Sequence, residues 1–242
     1  DQFAKSQNIM DVGFEIGTDE TVGEDFTPAE WDQFLAEVMG AAIAAGANLP
    51  ISFAVPMGTK VKEMCNAGGL SSRSADMRKW EARIAELHTI AACHHVILKL
   101  HNSDYMARDM IDHYIEHGVR CMNVAPEFGV VESRTLLGLM AQYGMGDLLS
   151  AFHAVALASG RWRRWLMDDS TATEAEKAMM AGHYVFSEPA IEMIRSRAAQ
   201  QLLTHGVSLE AELQGAIERA IEHYLLPLIG AQEADVRNQR TA

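Results

Sequence analysis

Four short β-type runs, each followed by a longer helical run, occupy most of the first two thirds of the chain, and this alternation constrains the fold more than any other feature. Residues 10–17, 50–56, 95–101 and 119–125 carry the apolar and β-branched residues of strands. Between them the spacing turns helical. Thr27 reads as an N-cap, Pro28 stands at the first helical position and Glu30 closes a capping box, opening a helix that ends near Gly46. Trp80, Ile84, Leu87 and Ala91 share one face of a helix over 75–93. Further helices are expected over 105–117, stopped by Gly118, and over 131–143 and 146–158. Parallel strands joined by helices give a doubly wound sheet or a (β/α)8 TIM barrel. Four units over 1–158 make half of such a barrel, and half a barrel leaves two strand edges uncovered. The missing strands are expected from an N-terminal half-barrel upstream or from a partner chain.

Beyond residue 158 the strand signals stop, and residues 159–242 read as a helical extension. Thr171-Ala172-Thr173-Glu174 looks like a second capping box. Pro189 opens a helix to about residue 204, Ser208 caps a last helix to about 222, and 231–242 read as a frayed tail. The stretch 57–74 is a long polar loop containing glycine. Hydrophobic residues make up 48% and charged residues 22%, the balance of an ordinary globular protein. No apolar run is long enough for a membrane helix, the start does not read as a signal peptide, and no initiator Met is present. Cys65, Cys93 and Cys121 show no Cys-x-x-Cys spacing, which fits a reducing, cytoplasmic compartment and thiols in or near the core. A net charge of −13 argues against nucleic acid as a partner.

In a barrel the chemistry lies at the carboxyl ends of the strands. Glu15 shares a face with Gly13 and Gly17, which leaves its carboxylate room. Ile97, Lys99 and His101 share a face of the third strand. A lysine pointing into a barrel needs a carboxylate, and Glu15 is the natural one; alternatively Lys99 faces the helices with its head at the surface. His101 then stands at the rim, able to bind a metal or move a proton. Asp19 and Glu20 form an acidic turn after the first strand and read as solvated, which leaves Glu15 as the functional candidate of that strand. Lys60, following Gly58, can hold a phosphate or carboxylate, or simply be solvated. Asn123 precedes a helix N-terminus, where anions bind. Asp104 is an N-cap for the next helix or, with Lys60, Lys99 and Asn123, a substrate-binding residue. His88 reads as structural, and His94-His95 lie at the far end from the chemistry. Trp162-Arg163-Arg164-Trp165 reads as a packing anchor.

The order of Gly17-Thr18-Asp19-Glu20, Phe53-Ala54-Val55-Pro56-Met57-Gly58, His101-Asn102-Ser103-Asp104-Tyr105 and Asn123-Val124-Ala125-Pro126 resembles the non-catalytic subunits of class II D-tagatose-bisphosphate aldolases. The likeness extends to Trp162–Trp165 and to His183-Tyr184-Val185-Phe186, and so covers nearly the whole chain. It implies a TIM barrel, a sugar or sugar phosphate ligand, and a role in galactitol or N-acetylgalactosamine breakdown beside the catalytic aldolase subunit that cleaves D-tagatose 1,6-bisphosphate. Lys99 stands where that family usually has a glutamate, which points to a different sugar. The chain is also similar to tagaturonate epimerases through Asp19-Glu20-Thr21 and the segment 88–104, although its loop is one residue shorter and lacks that family's lysine. This second resemblance implies a divalent metal, zinc or similar, with His101 as a ligand and Glu15 or Glu20 as the proton-transferring base.

Overall fold

A computed structural model describes residues 1–9, 12–17, 26–68 and 77–241. In chain order the elements are α1 (Gln2–Ser6), β1 (Phe14–Gly17), α2 (Pro28–Ala44), β2 (Pro50–Val55), β3 (Val61–Lys62), β4 (Cys65–Asn66), α3 (Met77–Cys93), β5 (Ile97–Leu100), α4 (Arg108–Glu116), β6 (Cys121–Met122), α5 (Pro126–Gln142), α6 (Gly146–Ala158), α7 (Glu174–Ala181), α8 (Pro189–Leu203) and α9 (Leu209–Thr241). Two short 3-10 helices, Arg161–Trp165 and Gly182–Val185, flank α7. The chain forms two compact units. One holds residues 1–60, 67–123 and 226–242; the other holds 61–66 and 124–225. Among the described residues no helix is long and apolar enough to cross a membrane.

The first unit is built on a four-stranded sheet in the order β1-β2-β5-β6, parallel throughout. In register, Gly17, Ala54, Lys99 and Cys121 form one row across it. The next residues along two of these strands, Val55 and Leu100, turn to the opposite face and are fully buried, as is Phe53, while Leu98 is nearly so. That face lies against Trp31 and Leu35 of α2 and Ile84 and Leu87 of α3, each 1% exposed or less. The Trp31 ring meets Phe53 edge-on at 5.0 Å, a geometry worth about 0.5–1.5 kcal/mol beyond the area it buries. The other face carries Ile97, which is 45% exposed. β1 and β5 thus alternate between this more open side and the covered one, whereas β2, between them, is buried from Ser52 to Val55 on both.

Local chemistry sets the helix ends. The capping box on α2 forms as the sequence predicts: Glu30 N–H donates to Thr27 Oγ1 at 3.3 Å, and Thr27 N–H donates to Glu30 Oε2 at 2.7 Å. α4 stops before Gly118, whose φ is +95°; a Cβ there would lie 2.3 Å from the His88 ring. The second box sits two residues later than expected. Thr173, not Thr171, caps α7, with Glu176 closing the box. α5 starts at Pro126, earlier than expected, because proline at the first position presets the helical φ. α4 starts only at Arg108, because Asn102 (φ 55°) and Tyr105 (φ 61°) hold the preceding loop in the left-handed region. β1 and β6 are shorter than the apolar runs suggest; residues 10–11 of the first run lie outside the described residues. The expected frayed tail is instead helical to Thr241. Arg120 grips it, donating from Nε to Asp235 at 2.7 Å and from Nη2 to the same carboxylate at 3.2 Å.

The second unit contains a feature the sequence conceals. β3 and β4 pair antiparallel through a turn in which Glu63 (φ 47°) and Met64 (φ 59°) both have positive φ, as a two-residue type I′ hairpin requires. The turn is held from outside. Glu63 N–H donates to the Trp165 carbonyl at 2.9 Å, Met167 N–H donates to Glu63 Oε1 at 3.1 Å, and Lys62 Nζ donates to the Arg164 carbonyl at 2.7 Å. The helical core joins Leu136 and Met140 of α5, Leu148 and Phe152 of α6, Ala178 of α7 and Ala198 of α8. Trp162 and Trp165 act as packing anchors: their ring N–H groups donate to the Leu157 carbonyl and the Tyr184 hydroxyl, each at 3.1 Å. Of the three free thiols, expected in the core or half-buried, Cys121 is half-buried, whereas Cys65, on the short hairpin, and Cys93, the last residue of α3, are exposed.

Candidate functional site

The more open face of the parallel sheet carries an ion pair. Lys99 on β5 and Glu15 on β1 reach toward each other past β2, and Lys99 Nζ donates to Glu15 Oε2. Ser52 Oγ lies 3.4 Å from the same carboxylate oxygen. The small residues Gly17 and Ala54 leave the space; a Cβ on Gly17 would stand 2.7 Å from the Ala54 carbonyl oxygen. The side chain of Lys99 is 15% exposed and that of Glu15 40%. Of the two readings of Lys99, the one with its head toward Glu15 is therefore the one realised.

At the carboxyl ends of the strands, hydrogen bonds to backbone carbonyls tie three loops together. Thr59, after β2, donates from Oγ1 to the His101 carbonyl at 2.5 Å. Ser103, after β5, donates its N–H to the Asn123 carbonyl at 2.8 Å, and Asn123 N–H returns to the Leu100 carbonyl at 2.9 Å. Behind them Tyr114 of α4 donates its hydroxyl to the Met57 carbonyl at 2.6 Å. Burial pushes the Tyr114 phenol far up, so it remains a donor at any physiological pH. The turn before Lys60 is tight. Gly58 has φ +86°, and a Cβ on Gly68 would fall 2.1 Å from the Gly58 carbonyl oxygen. Backbone held at positive φ by non-glycine residues, as at Asn102 and Tyr105, is costly and gathers where structure serves a site.

The sequence candidates divide accordingly. His101 and Asn123 stand half-buried in these loops, and Lys60 follows Thr59 with an exposed side chain. Asp104 is in the same loop but only 2% exposed, and it is not the cap of α4, whose N-cap is Ala107. Glu20 lies outside the described residues, as does Asp19. His101 Nδ1 is buried without a hydrogen-bond partner among the described residues. It belongs to no group of three metal donors among the described residues, so no metal step is assigned to it. Among the described residues, the donors that come close enough to hold an ion are Glu81, His113 and His117.

Sequence reasoning named His183 of the second unit only within the resemblance and gave it no role of its own. Its ring stacks on Tyr184 at 4.0 Å and covers Gly129, where a Cβ would stand 2.4 Å from the imidazole Cγ. Burial, and then the Arg164 guanidinium, hold this imidazole below its ordinary pKa. Only the adjacent aromatic residues marked it in the sequence.

Consecutive parallel strand–helix units with their loops joined at the strand ends define an α/β protein of the kind that carries ligands at that edge. Among solved structures the chain is similar to a probable tagatose 6-phosphate kinase from Sinorhizobium meliloti 1021, with a TM-score of 0.71 and 14% identity over 93% of this chain and 65% of that one. It is also similar to the fructuronate-tagaturonate epimerase UxaE from Cohnella laeviribosi solved with two glycerols, with a TM-score of 0.57 and 15% identity over 94% of this chain and 48% of that one. The chain thus spans 65% of the first neighbour and about half of the second. At these identities the likeness is one of fold. No protein-family model and no curated protein sequence matches the chain.

Proposed function

We propose that the chain serves carbohydrate metabolism as an accessory subunit of the D-tagatose-1,6-bisphosphate aldolase type, binding a sugar phosphate and supporting a catalytic aldolase subunit. The observation that carries this reading is the rim where Thr59, His101, Ser103 and Asn123 join the loops after β2, β5 and β6. In this reading residues 1–158 supply half of a TIM barrel and 159–242 a helical extension, with further strands on additional chain or a partner subunit. Lys60 is the phosphate-binding cation, a point charge on a flexible stem, and Asn123 and His101 offer hydrogen bonds to sugar hydroxyls. The Lys99 ammonium is neutralised by Glu15, so its part is to hold the sheet's open face polar rather than to seek a second anion. Calorimetric titration with D-tagatose 1,6-bisphosphate tests the proposal. Lys60→Ala is expected to weaken binding about tenfold, roughly 1.4 kcal/mol, and adding the intact chain to a catalytic aldolase subunit is expected to lengthen that subunit's active lifetime. Equal affinity in wild type and Lys60→Ala, with no effect on the aldolase, contradicts it.

The fold shared with the fructuronate-tagaturonate epimerase favours a second reading, a free-standing epimerase or isomerase of a keto-sugar or hexuronate. Here His101 and Glu15 or Glu20 move the proton. Turnover of tagaturonate that disappears in His101→Ala supports it; the absence of turnover, with zinc added or withheld, rules it out.

A further inference from the structure

α3 and α4 bring together three side chains of metal-ligating type, none of them among the rim residues described above. His113 and His117 are one turn apart on α4 and its C-cap, with ring centroids 4.4 Å apart. Glu81 of α3 brings Oε1 to 3.8 Å from His113 Nε2. One donor atom from each of the three lies within 4.8 Å of the others. In a tetrahedral zinc site with bonds near 2.0–2.1 Å, ligand atoms stand roughly 3.3 Å apart, so the 3.8 Å pair is within a small side-chain adjustment of ligation.

Two details fit a metal better than a chance cluster. His117 Nδ1 lies 2.9 Å from the His113 carbonyl oxygen, to which it donates. That bond fixes the tautomer, leaving Nε2 as the lone-pair nitrogen, and a carbonyl partner of this kind is the usual support of a metal-bound imidazole. His113 is 7% exposed and fixed between α4 and its neighbours, while Glu81 and His117 are half-buried, which leaves one side of the group open to water. Two imidazoles and a carboxylate suit zinc and its first-row neighbours rather than magnesium or calcium, which prefer oxygen ligands.

We infer that Glu81, His113 and His117 form a divalent transition-metal site, with zinc as the fitting ion, that clasps α3 to α4. The site is independent of the rim and of any sugar chemistry. Binding one zinc ion strengthens a link between two helices that Glu81 and His113 already make at 3.8 Å, and the linkage raises the stability of the folded chain.

The test uses the intact chain freed of metal with a chelator and titrated with zinc alone. One equivalent is expected to bind with a dissociation constant of about 1 µM or tighter. Cobalt in its place is expected to give the visible absorption of a low-coordinate nitrogen–oxygen site. His117→Ala and Glu81→Gln, both on half-buried positions that leave the fold intact, should each weaken binding at least about 100-fold, whereas His101→Ala should leave it unchanged. The melting temperature should rise by about 5 °C at saturating zinc, more at neutral pH than in acid, because protonated imidazoles do not bind metal. No saturable binding, or equal binding by wild type and both variants, overturns the proposal. So does a stability gain that appears only in acid without metal, which would mark Glu81 and His113 as a plain ion pair.

Discussion

At the scale of single residues, two groups have measurable consequences. Glu15 and Lys99 pair on the open face of the sheet, and the lysine end is the more enclosed. Glu15→Gln strands that ammonium in a partly desolvated place and is expected to cost about 1–2 kcal/mol, read as a lower melting temperature. Glu15→Gln combined with Lys99→Met should recover most of the loss, because no charge is then left to desolvate. An unchanged melting temperature in the single variant removes the pair from the account of stability. His183 acts through pH. Its imidazole is held below the ordinary value of 6.5 by burial, then by Arg164. Below 6.5 the unfolded chain therefore binds more protons than the folded one. The stability this group contributes is complete above that pH and is lost as pH falls through the depressed folded value. Melting temperatures taken from about pH 7.5 to about pH 5 should fall less steeply for His183→Gln than for wild type.

At the scale of elements, helix starts were readable where one local pattern had one solution. Thr27, Pro28 and Glu30 admit a single box, and it forms. Around α7, both Thr171 with Glu174 and Thr173 with Glu176 satisfy the same template, and only packing decides between them. Thr173→Ala is accordingly expected to cost about 1 kcal/mol, while Thr171→Ala, at an exposed position outside the helix, should change stability by less than about 0.5 kcal/mol; denaturant melts of the two variants measure the difference. The pairing of Lys99 with Glu15 was legible because alternation along a strand fixes which side chains share a face. The hairpin of β3 and β4 was not. Glu63 and Met64 carry no turn signal, and their left-handed backbone is held by Trp165 and Met167, about a hundred residues downstream. Asp104 misled for the opposite reason. It looks like a cap in sequence, but Tyr105 takes a left-handed turn immediately after it and postpones the helix to Arg108. The group of Glu81, His113 and His117 was not read from the sequence, because the contact that brings α3 and α4 together there is tertiary.

At the scale of the whole molecule, the succession of strand–helix units was legible from periodicity alone, since each unit is a local pattern. The neighbours in the sheet were not, since order and register depend on partners far along the chain. The all-parallel sheet has a consequence for how the protein comes to be. A parallel pairing has no tight turn to start it: β1 must wait for α2 before meeting β2, and β2 must wait for the hairpin and α3 before meeting β5. Large loops are thus closed before any pairing rewards them, and assembly is slow. During biosynthesis the early strands leave the ribosome well before their mates, so nascent chains spend that interval with unsatisfied backbone, the period in which a chaperone has most to protect.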